Sequence, residues 1–435
     1  MMRGKAKTSP SAGIHYLIVG NSAAGISAAR QIRRQDPRGR ITIVSDELSW
    51  GYSRVLLPLY IAGKISRRQM IIASRNDYTA LRIRLLAGDP VDSIDPGGQR
   101  VHTRKGVGIP YDRLLIATGS SPRALDVPGN DLPGIHYLRK VADAEGIRKD
   151  LSSSRGPVLV VGGGLVSVKS VEALLQRRRK VHLVISSDRI LSQMLDQRAS
   201  RLFLHALEKK HISVNLQTNV RAFEGKERVE GAHLSDGSFL PCSLVIVGKG
   251  VKPNVDLLRG TGARLNEGIV VDPHMATTLP CVYAAGDAAE TFDLLQKKPR
   301  GQAIWPLAVE GGRVAGSNMV SGASTLPGGL RMNVVELMGM RAVSVGAEEG
   351  DRVLHYSPPG ASVYRKLVFS RGRVTGFLLA GDIRCAGVLT SLVKNETQVS
   401  TAVLEEGLER GFSYSPRLRI LAGEVKSFSF QVSGF

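Results

Sequence analysis

Two glycine-rich turns carry the residue types from which a chain can build an anion cradle. The first reads Gly20-Asn21-Ser22-Ala23-Ala24-Gly25, between the apolar run HYLIVG and the amphipathic stretch ISAARQIRRQ. A strand that enters such a turn and leaves it as a helix aims the free N–H groups of the helix start at a pyrophosphate, the context a dinucleotide fingerprint needs. Gly20 permits the tight turn, and Gly25 lets helix and strand approach closely. Ser22 stands where a central glycine is usual; its Cβ crowds the phosphate approach, while its hydroxyl can donate a hydrogen bond. Ala23 and Ala24 complete the turn. An acid to hold the ribose hydroxyls belongs about 20 residues further on. Asp46 and Glu47 follow Gly25 by 21 and 22 positions, at the end of the second apolar run. A plain strand–helix turn is the competing reading, and the joint presence of strand, turn, helix and acid argues against it.

The second turn, Gly162-Gly163-Gly164-Leu165-Val166-Ser167, departs further from the pattern. Ser167 replaces the third glycine, which predicts a slightly wider spacing of helix and strand. At the end of the next strand Ile185 occupies the place of the ribose-binding acid. Ser186, Ser187 and Arg189 follow and offer contacts to a 2′-phosphate instead. The competing reading is a retained fold that binds its nucleotide poorly or not at all.

Both turns need strands and helices in alternation, and the chain supplies them. HYLIVG–NSAAG–ISAARQIRRQ–DPRGR–ITIVSDE recurs as GPVLVVG–GGLVS–VKSVEALLQRRR–KVHLVISS, two βα units that call for parallel sheets. Between them Tyr111–Pro122 reads as a strand ending in a Thr-Gly turn. Residues 124–156, polar and rich in Pro and Gly, read as a crossing between domains. After 325 the chain turns strand-rich with hairpin signals (LVFSRGRVTGFLLAGDIR), and 411–435 has no clear periodicity. At 435 residues and 43% hydrophobic content the chain holds several domains and enough apolar material for their cores, which excludes disorder or a fibrous repeat. No apolar stretch reaches the ~18 residues of a membrane span, and the small, basic first fourteen residues lead straight into a strand rather than a signal segment. Three cysteines, Cys242, Cys281 and Cys385, form no CxxC, so a dithiol motif of that spacing, a zinc ribbon and a cysteine-ligated cluster are excluded. A reduced, cytoplasmic protein is expected. Lys plus Arg (59) outnumber Asp plus Glu (38) for a net charge of +21. With no nucleic-acid motif beside them, these charges point to an acidic protein partner or to a diffuse basic bias.

With these turns in this order, the sequence resembles the FAD-dependent pyridine nucleotide-disulfide oxidoreductases and their glutathione-reductase-like fold. Three further stretches carry the resemblance: Ala117-Thr118-Gly119 within Tyr111–Pro122, Leu138-Arg139 with Asp143-Ala144, and Thr278–Asp287 ending in Gly286-Asp287. The resemblance implies an α/β fold of two dinucleotide-binding, Rossmann-like domains plus a C-terminal α+β interface domain. It implies an FAD domain over 14–122 and 246–325, an NAD(P)-binding-like domain over 123–245, an interface domain over 326–410, a tail over 411–435 and a basic arm over 1–13. The FAD contacts it implies are Gly20, Ser22, Ala23, Ala24, Gly25, Asp46, Glu47, Arg54, Ala117, Thr118, Gly119, Gly286 and Asp287. For NAD(P) it implies Gly162, Gly164, Leu165, Val166, Ser186 and Gly250.

Within that superfamily the chain is most similar to the branch of rubredoxin reductases, NADH oxidases and nitrite reductase flavin domains, through Tyr52-Ser53-Arg54, Leu57-Pro58, Ile61-Ala62-Gly63 and Ile304–Ala308. Arg54 and Trp305 are the flavin neighbours this similarity implies, and Lys169 stands where the family often has a glutamate near the nicotinamide. Val55 stands where the coenzyme A-disulfide reductases carry their reactive cysteine, and a valine offers no thiolate. Electrons would then leave the flavin directly. The expected function is an FAD-dependent NAD(P)H oxidoreductase that serves an acidic electron-carrier protein or a partner redox subunit. The alternatives are an NAD(P)H oxidase reducing oxygen, and an FAD-bearing subunit with impaired nicotinamide binding.

Overall fold

The computed structural model describes residues 13–410; most of the basic arm expected over 1–13, and the tail expected over 411–435, lie outside the described residues. The chain forms two compact units. The first takes the residues up to Ser53, Arg67–Ser121 and Lys252–Gly329, and the second Arg54–Ser66, Pro122–Val251 and the chain from Leu330.

In the first unit five strands lie in the order Val282–Ala284, Arg113–Ile116, His15–Val19, Arg40–Ser45, Ile83–Ala87, and every neighbouring pair is parallel. His15–Val19 is buried at all five positions, as a parallel strand covered on both faces should be. The helix Ala23–Gln35 packs against the helix Trp305–Val320. Glycine makes this approach possible: a Cβ on Gly312 or Gly316 would lie 2.2 and 2.5 Å from the carbonyl oxygens of Ala24 and Ala28.

The second unit repeats the plan, with parallel strands in the order Ile135–Tyr137, Leu244–Val247, Val158–Val161, Val181–Val184, Ser213–Asn215. Residues 124–156 are therefore more than a crossing. They supply the edge strand Ile135–Tyr137 and the 13-residue helix Val141–Ser153, whose Val141, Ala144, Ile147 and Leu151 are buried. The sheet keeps its strand through Val247, two residues beyond the expected 245, because Val247 pairs with Val161. Residues 54–66 cluster here rather than with the first unit, since the short helix Leu57–Ala62 packs on Val141–Ser153 and Leu165–Gln176. The guanidinium of Arg148 lies 4.3 Å over the Tyr60 ring in that contact.

Beyond Leu330 the second unit adds an antiparallel sheet in the order Met332–Leu337, Met340–Gly346, Arg373–Ala380, Tyr364–Ser370, Arg352–Tyr356. The helices Ala386–Lys394 and Thr401–Arg410 close its core. Arg371 and Gly372, both at positive φ (52° and 71°), make the two-residue turn that the hairpin signal predicts. Two Rossmann-like sheets with a strand-rich C-terminal part are the architecture that the alternation implies. Among the described residues no helix is long and apolar enough to cross a membrane, and no cluster of His, Cys, Asp or Glu could hold a metal ion.

Candidate functional site

In the first unit the sequence-predicted residues gather at the carboxyl ends of four adjacent parallel strands. Gly20 follows His15–Val19 at φ 124°, and its missing Cβ would meet the carbonyl oxygen of Ala117 at 2.0 Å. The glycine turn thus sits directly on Ala117-Thr118-Gly119, the turn after the neighbouring strand. A Cβ on Gly25 would fall 2.0 Å from the Gly20 carbonyl oxygen, so only glycine closes the helix onto the strand. Gly286 at φ 75° ends the third turn, 3.1 and 3.8 Å (measured from a Cβ built on it) from the Cβ atoms of Ala24 and Ala308. One continuous backbone surface results, from Gly20–Gly25 through Gly119 to Gly286-Asp287. Backbone N–H groups at the helix start on this surface suit a pyrophosphate. Ser22, the N-cap of Ala23–Gln35, makes no side-chain capping bond, so the first-turn N–H groups are not consumed by it.

Hydrogen bonds fix these turns. Asn21 Nδ2 donates to the Ser49 carbonyl at 3.1 Å, and its Oδ1 accepts from the Tyr78 hydroxyl. Burial pushes the Tyr78 phenol up, keeping it a donor. Thr118 Oγ1 donates to the Asn254 carbonyl at 2.8 Å, and Asn254 Nδ2 returns a bond to the Thr118 carbonyl at 3.0 Å. Ser120 Oγ donates to Asp287 Oδ2 at 2.8 Å, orienting that carboxylate. At the end of Arg40–Ser45, Glu47 accepts from the Tyr52 hydroxyl at 2.7 Å, while Asp46 is exposed beside it. Tyr52 enters the sequence reading only as part of the Tyr52-Ser53-Arg54 similarity, and Tyr78 and Asn254 carry no sequence signal beyond their positions near the turns. Trp305 begins the helix Trp305–Val320, half-buried against the first unit's core.

Arg54 falls in the second unit, where its Nη1 donates to the Arg139 carbonyl at 3.1 Å. Val55 beside it is 65% exposed.

The second glycine turn repeats the first with Gly162 at φ 112° and its missing Cβ 2.3 Å from the Gly248 carbonyl oxygen. Space above Gly164, the N-cap of Leu165–Gln176, is open, since nothing lies within 4 Å of a Cβ built there. Leu165 and Val166 are exposed at 37% and 41%, an apolar lip on that opening. The turn therefore suits a nucleotide as the first one does. The expected widening at Ser167 is absorbed by Gly248: Ser167 is fully buried, and its Oγ lies 2.3 Å from where a Gly248 Cβ would be. Ile185 is 1% exposed and packs over Gly163, filling the place of the ribose acid. Arg189 does not project as a phosphate contact. Its Nε donates to the Leu195 carbonyl at 3.0 Å and its Nη1 to Asp188 Oδ1 at 2.9 Å, which braces its own loop. Ser187 Oγ is spent on the Arg189 carbonyl at 2.8 Å. Ser186 instead accepts from Lys249 Nζ at 3.0 Å. Gly250 follows at φ 88°. Lys169 bonds Glu172 on its own helix and the Glu336 carbonyl at 2.8 Å, a staple to the C-terminal sheet.

Comparison with known proteins agrees with this geometry. The pyridine nucleotide-disulphide oxidoreductase family matches residues 14–312. The chain belongs to the pyridine nucleotide-disulphide oxidoreductases. This is a family of flavoprotein oxidoreductases that use FAD and NAD(P)H. Over 390 residues it is 28% identical to the assimilatory nitrate reductase electron transfer subunit of Bacillus subtilis, covering 89% of this chain and 50% of that protein. The chain thus spans about half the length of that relative. It is 29% identical over 393 residues to the NADH-dependent phenylglyoxylate dehydrogenase subunit epsilon of Aromatoleum evansii, covering 88% of this chain and 92% of that one. Among solved structures, the covalent putidaredoxin reductase–putidaredoxin complex matches with a TM-score of 0.86 at 25% identity, covering 96% of this chain and all (100%) of the matched one.

Proposed function

We propose that this chain takes electrons from NAD(P)H onto FAD and delivers them to a protein electron carrier or a partner redox subunit, with no cysteine in the path. When bound, the two cofactors supply hydride transfer and the redox chemistry; the protein supplies alignment. Its own residues cradle the FAD pyrophosphate with the Gly20–Gly25 backbone, orient Glu47 toward ribose hydroxyls through Tyr52, and hold Asp287 through Ser120.

The observation that carries this reading is where the three cysteines lie. Cys281 precedes the strand Val282–Ala284, at the amino end of the first sheet and opposite the turns. Cys242 precedes Leu244–Val247 in the same way in the second sheet, and Cys385 caps a helix over the C-terminal sheet. Burial pushes the thiols of Cys242 and Cys385 up to about 12, so neither is a thiolate at neutral pH. Three free thiols with no disulfide fit a reduced cytoplasmic setting. A relative named as an electron transfer subunit, another named as a dehydrogenase subunit and a matched reductase–redoxin complex support a protein acceptor. The net charge of +21 supports an acidic one.

Anaerobic titration of the FAD-loaded protein with NADPH and, separately, NADH tests the first half: bleaching of the flavin band at near-stoichiometric reductant is expected. A band that neither nucleotide changes overturns it and leaves an FAD-bearing subunit fed from elsewhere. Mixing the reduced protein with an acidic [2Fe–2S] ferredoxin or with oxygen tests the second. Rapid reoxidation by oxygen alone identifies an oxidase and overturns the carrier reading.

A further inference from the structure

Lys249 stands between Gly248 and Gly250, two residues past the strand Leu244–Val247. That strand lies beside Val158–Val161, which lies beside Val181–Val184. Ser186 follows the last of the three. The Lys249 Nζ to Ser186 Oγ bond of 3.0 Å therefore carries the side chain past the carboxyl end of the middle strand, where the Gly162–Gly164 turn begins. Two strand spacings, roughly 10 Å, are bridged in this way. The ammonium sits at the end of the second βα unit's second strand, where a dinucleotide fold meets the adenosine ribose.

The charge balance there is unusual. Among the described residues Lys249 has no carboxylate partner, and its one bond goes to a neutral hydroxyl. Burial lowers its pKa, so the half-buried cation carries a desolvation penalty that an incoming anion would relieve. A ribose diol wants an acid at this place, and Ile185 supplies none. Asp188, the nearest acid in sequence, is engaged by Arg189 at 2.9 Å and by Gln197. The site thus offers a cation and a hydroxyl, and Asp188, the carboxylate nearest in sequence, is already paired with Arg189.

We propose that Lys249 together with Ser186 receives the 2′-phosphate of NADPH, so that this chain discriminates for NADP(H) over NAD(H). The proposal rests on the reading that the second unit binds a nicotinamide nucleotide. A lysine between two glycines, in place of an arginine on the loop after the second strand, does the selecting.

Calorimetric binding of adenosine 2′,5′-bisphosphate and of 5′-AMP to the full-length, FAD-loaded protein tests it, because these probes differ only in the 2′-phosphate. The wild type should bind the bisphosphate at least ten-fold more tightly. Lys249→Ala should bring the two within two-fold of each other by weakening the bisphosphate alone, and Lys249→Arg should keep most of the preference. An unchanged FAD content and circular dichroism spectrum establish that each variant is folded. Equal loss of both probes in Lys249→Ala overturns the proposal, since the lysine would then serve the 5′-phosphate. Equal binding of both by the wild type overturns it too, yet leaves nucleotide binding standing. Binding of neither overturns the proposal and the reading beneath it.

Discussion

Ser167 is fully buried where a close-packing glycine would be expected, and its Oγ contacts the Gly248 carbonyl at 3.3 Å. A Cβ on Gly248 would lie 2.3 Å from that hydroxyl but 3.3 Å or more from every other nearby atom. The two positions therefore share one small volume, and the collision belongs to one atom pair. Gly248→Ala should destabilise the protein by about 1–3 kcal/mol through overpacking. Adding Ser167→Gly removes the colliding atom and should restore most of that loss, a coupling that a double-mutant cycle on urea unfolding would read directly. Additive effects of the two changes would show that the backbone, not the hydroxyl, resists the added methyl. The cysteines give a second residue-scale prediction. With thiol pKa values of about 12, Cys242 and Cys385 are roughly 10⁻⁴ ionised at pH 8. N-ethylmaleimide at that pH should label at most one thiol quickly, half-buried Cys281, and all three cysteines only in denaturant. Rapid labelling of Cys385 in the native protein would contradict the proposed cysteine-free path.

The pair of helices Ala23–Gln35 and Trp305–Val320 sets the geometry of the first glycine turn, since Gly312 and Gly316 rest on the carbonyls of Ala24 and Ala28. Gly→Ala in a free helix is favourable by about 1 kcal/mol. At Gly312 the added Cβ meets backbone atoms at 2.2 Å, which cannot rotate away; at adjacent Gly311 the nearest atom is the flexible Met275 Cε at 3.3 Å. Gly312→Ala should lower the melting temperature by several degrees and release FAD, while Gly311→Ala should be neutral or stabilising; thermal unfolding with flavin fluorescence separates them. The sequence made the two βα units legible because strand, turn and helix are local and the glycines are forced by close contacts at Gly20, Gly25 and Gly162. It hid this helix pair because the match between Gly312–Gly316 and Ala24–Ala28 joins residues nearly 290 positions apart. The helix Val141–Ser153 is hidden in the sequence for another reason: its buried Val141, Ala144, Ile147 and Leu151 are interrupted by Gly146 and flanked by charge, so composition masks the period. Nothing in the sequence shows that the Arg189 donors are taken up within its own loop, by the Leu195 and Ser192 carbonyls and by Asp188.

At the scale of the whole molecule the dominant physical feature is charge. The net charge of +21 is not concentrated in one run. Several arginines serve the fold: Arg30 donates to the Ile72 carbonyl at 2.7 Å, Arg33 to the Leu81 carbonyl at 2.8 Å, and Arg179 to the Gly156 carbonyl at 2.6 Å. Neutral carbonyls do not cancel a guanidinium's charge, so a residue that braces a loop still adds to the long-range field. Such a field acts on the encounter with a charged carrier more than on the bound state, and salt screens it. The Debye length falls from about 10 Å at 0.1 M to about 3 Å at 1 M ionic strength. Over that range kcat/KM for an acidic ferredoxin should fall at least ten-fold, with most of the change in KM. Reduction of a small uncharged quinone, at saturating NADPH, should change less than two-fold, because no field steers it. The quinone control isolates the acceptor step, since the nucleotide is itself anionic and its binding at sub-saturating concentration would respond to salt as well. A flat profile for the ferredoxin would show that the positive charge plays no part in acceptor capture. A parallel fall for both acceptors would place the salt effect in nucleotide binding instead.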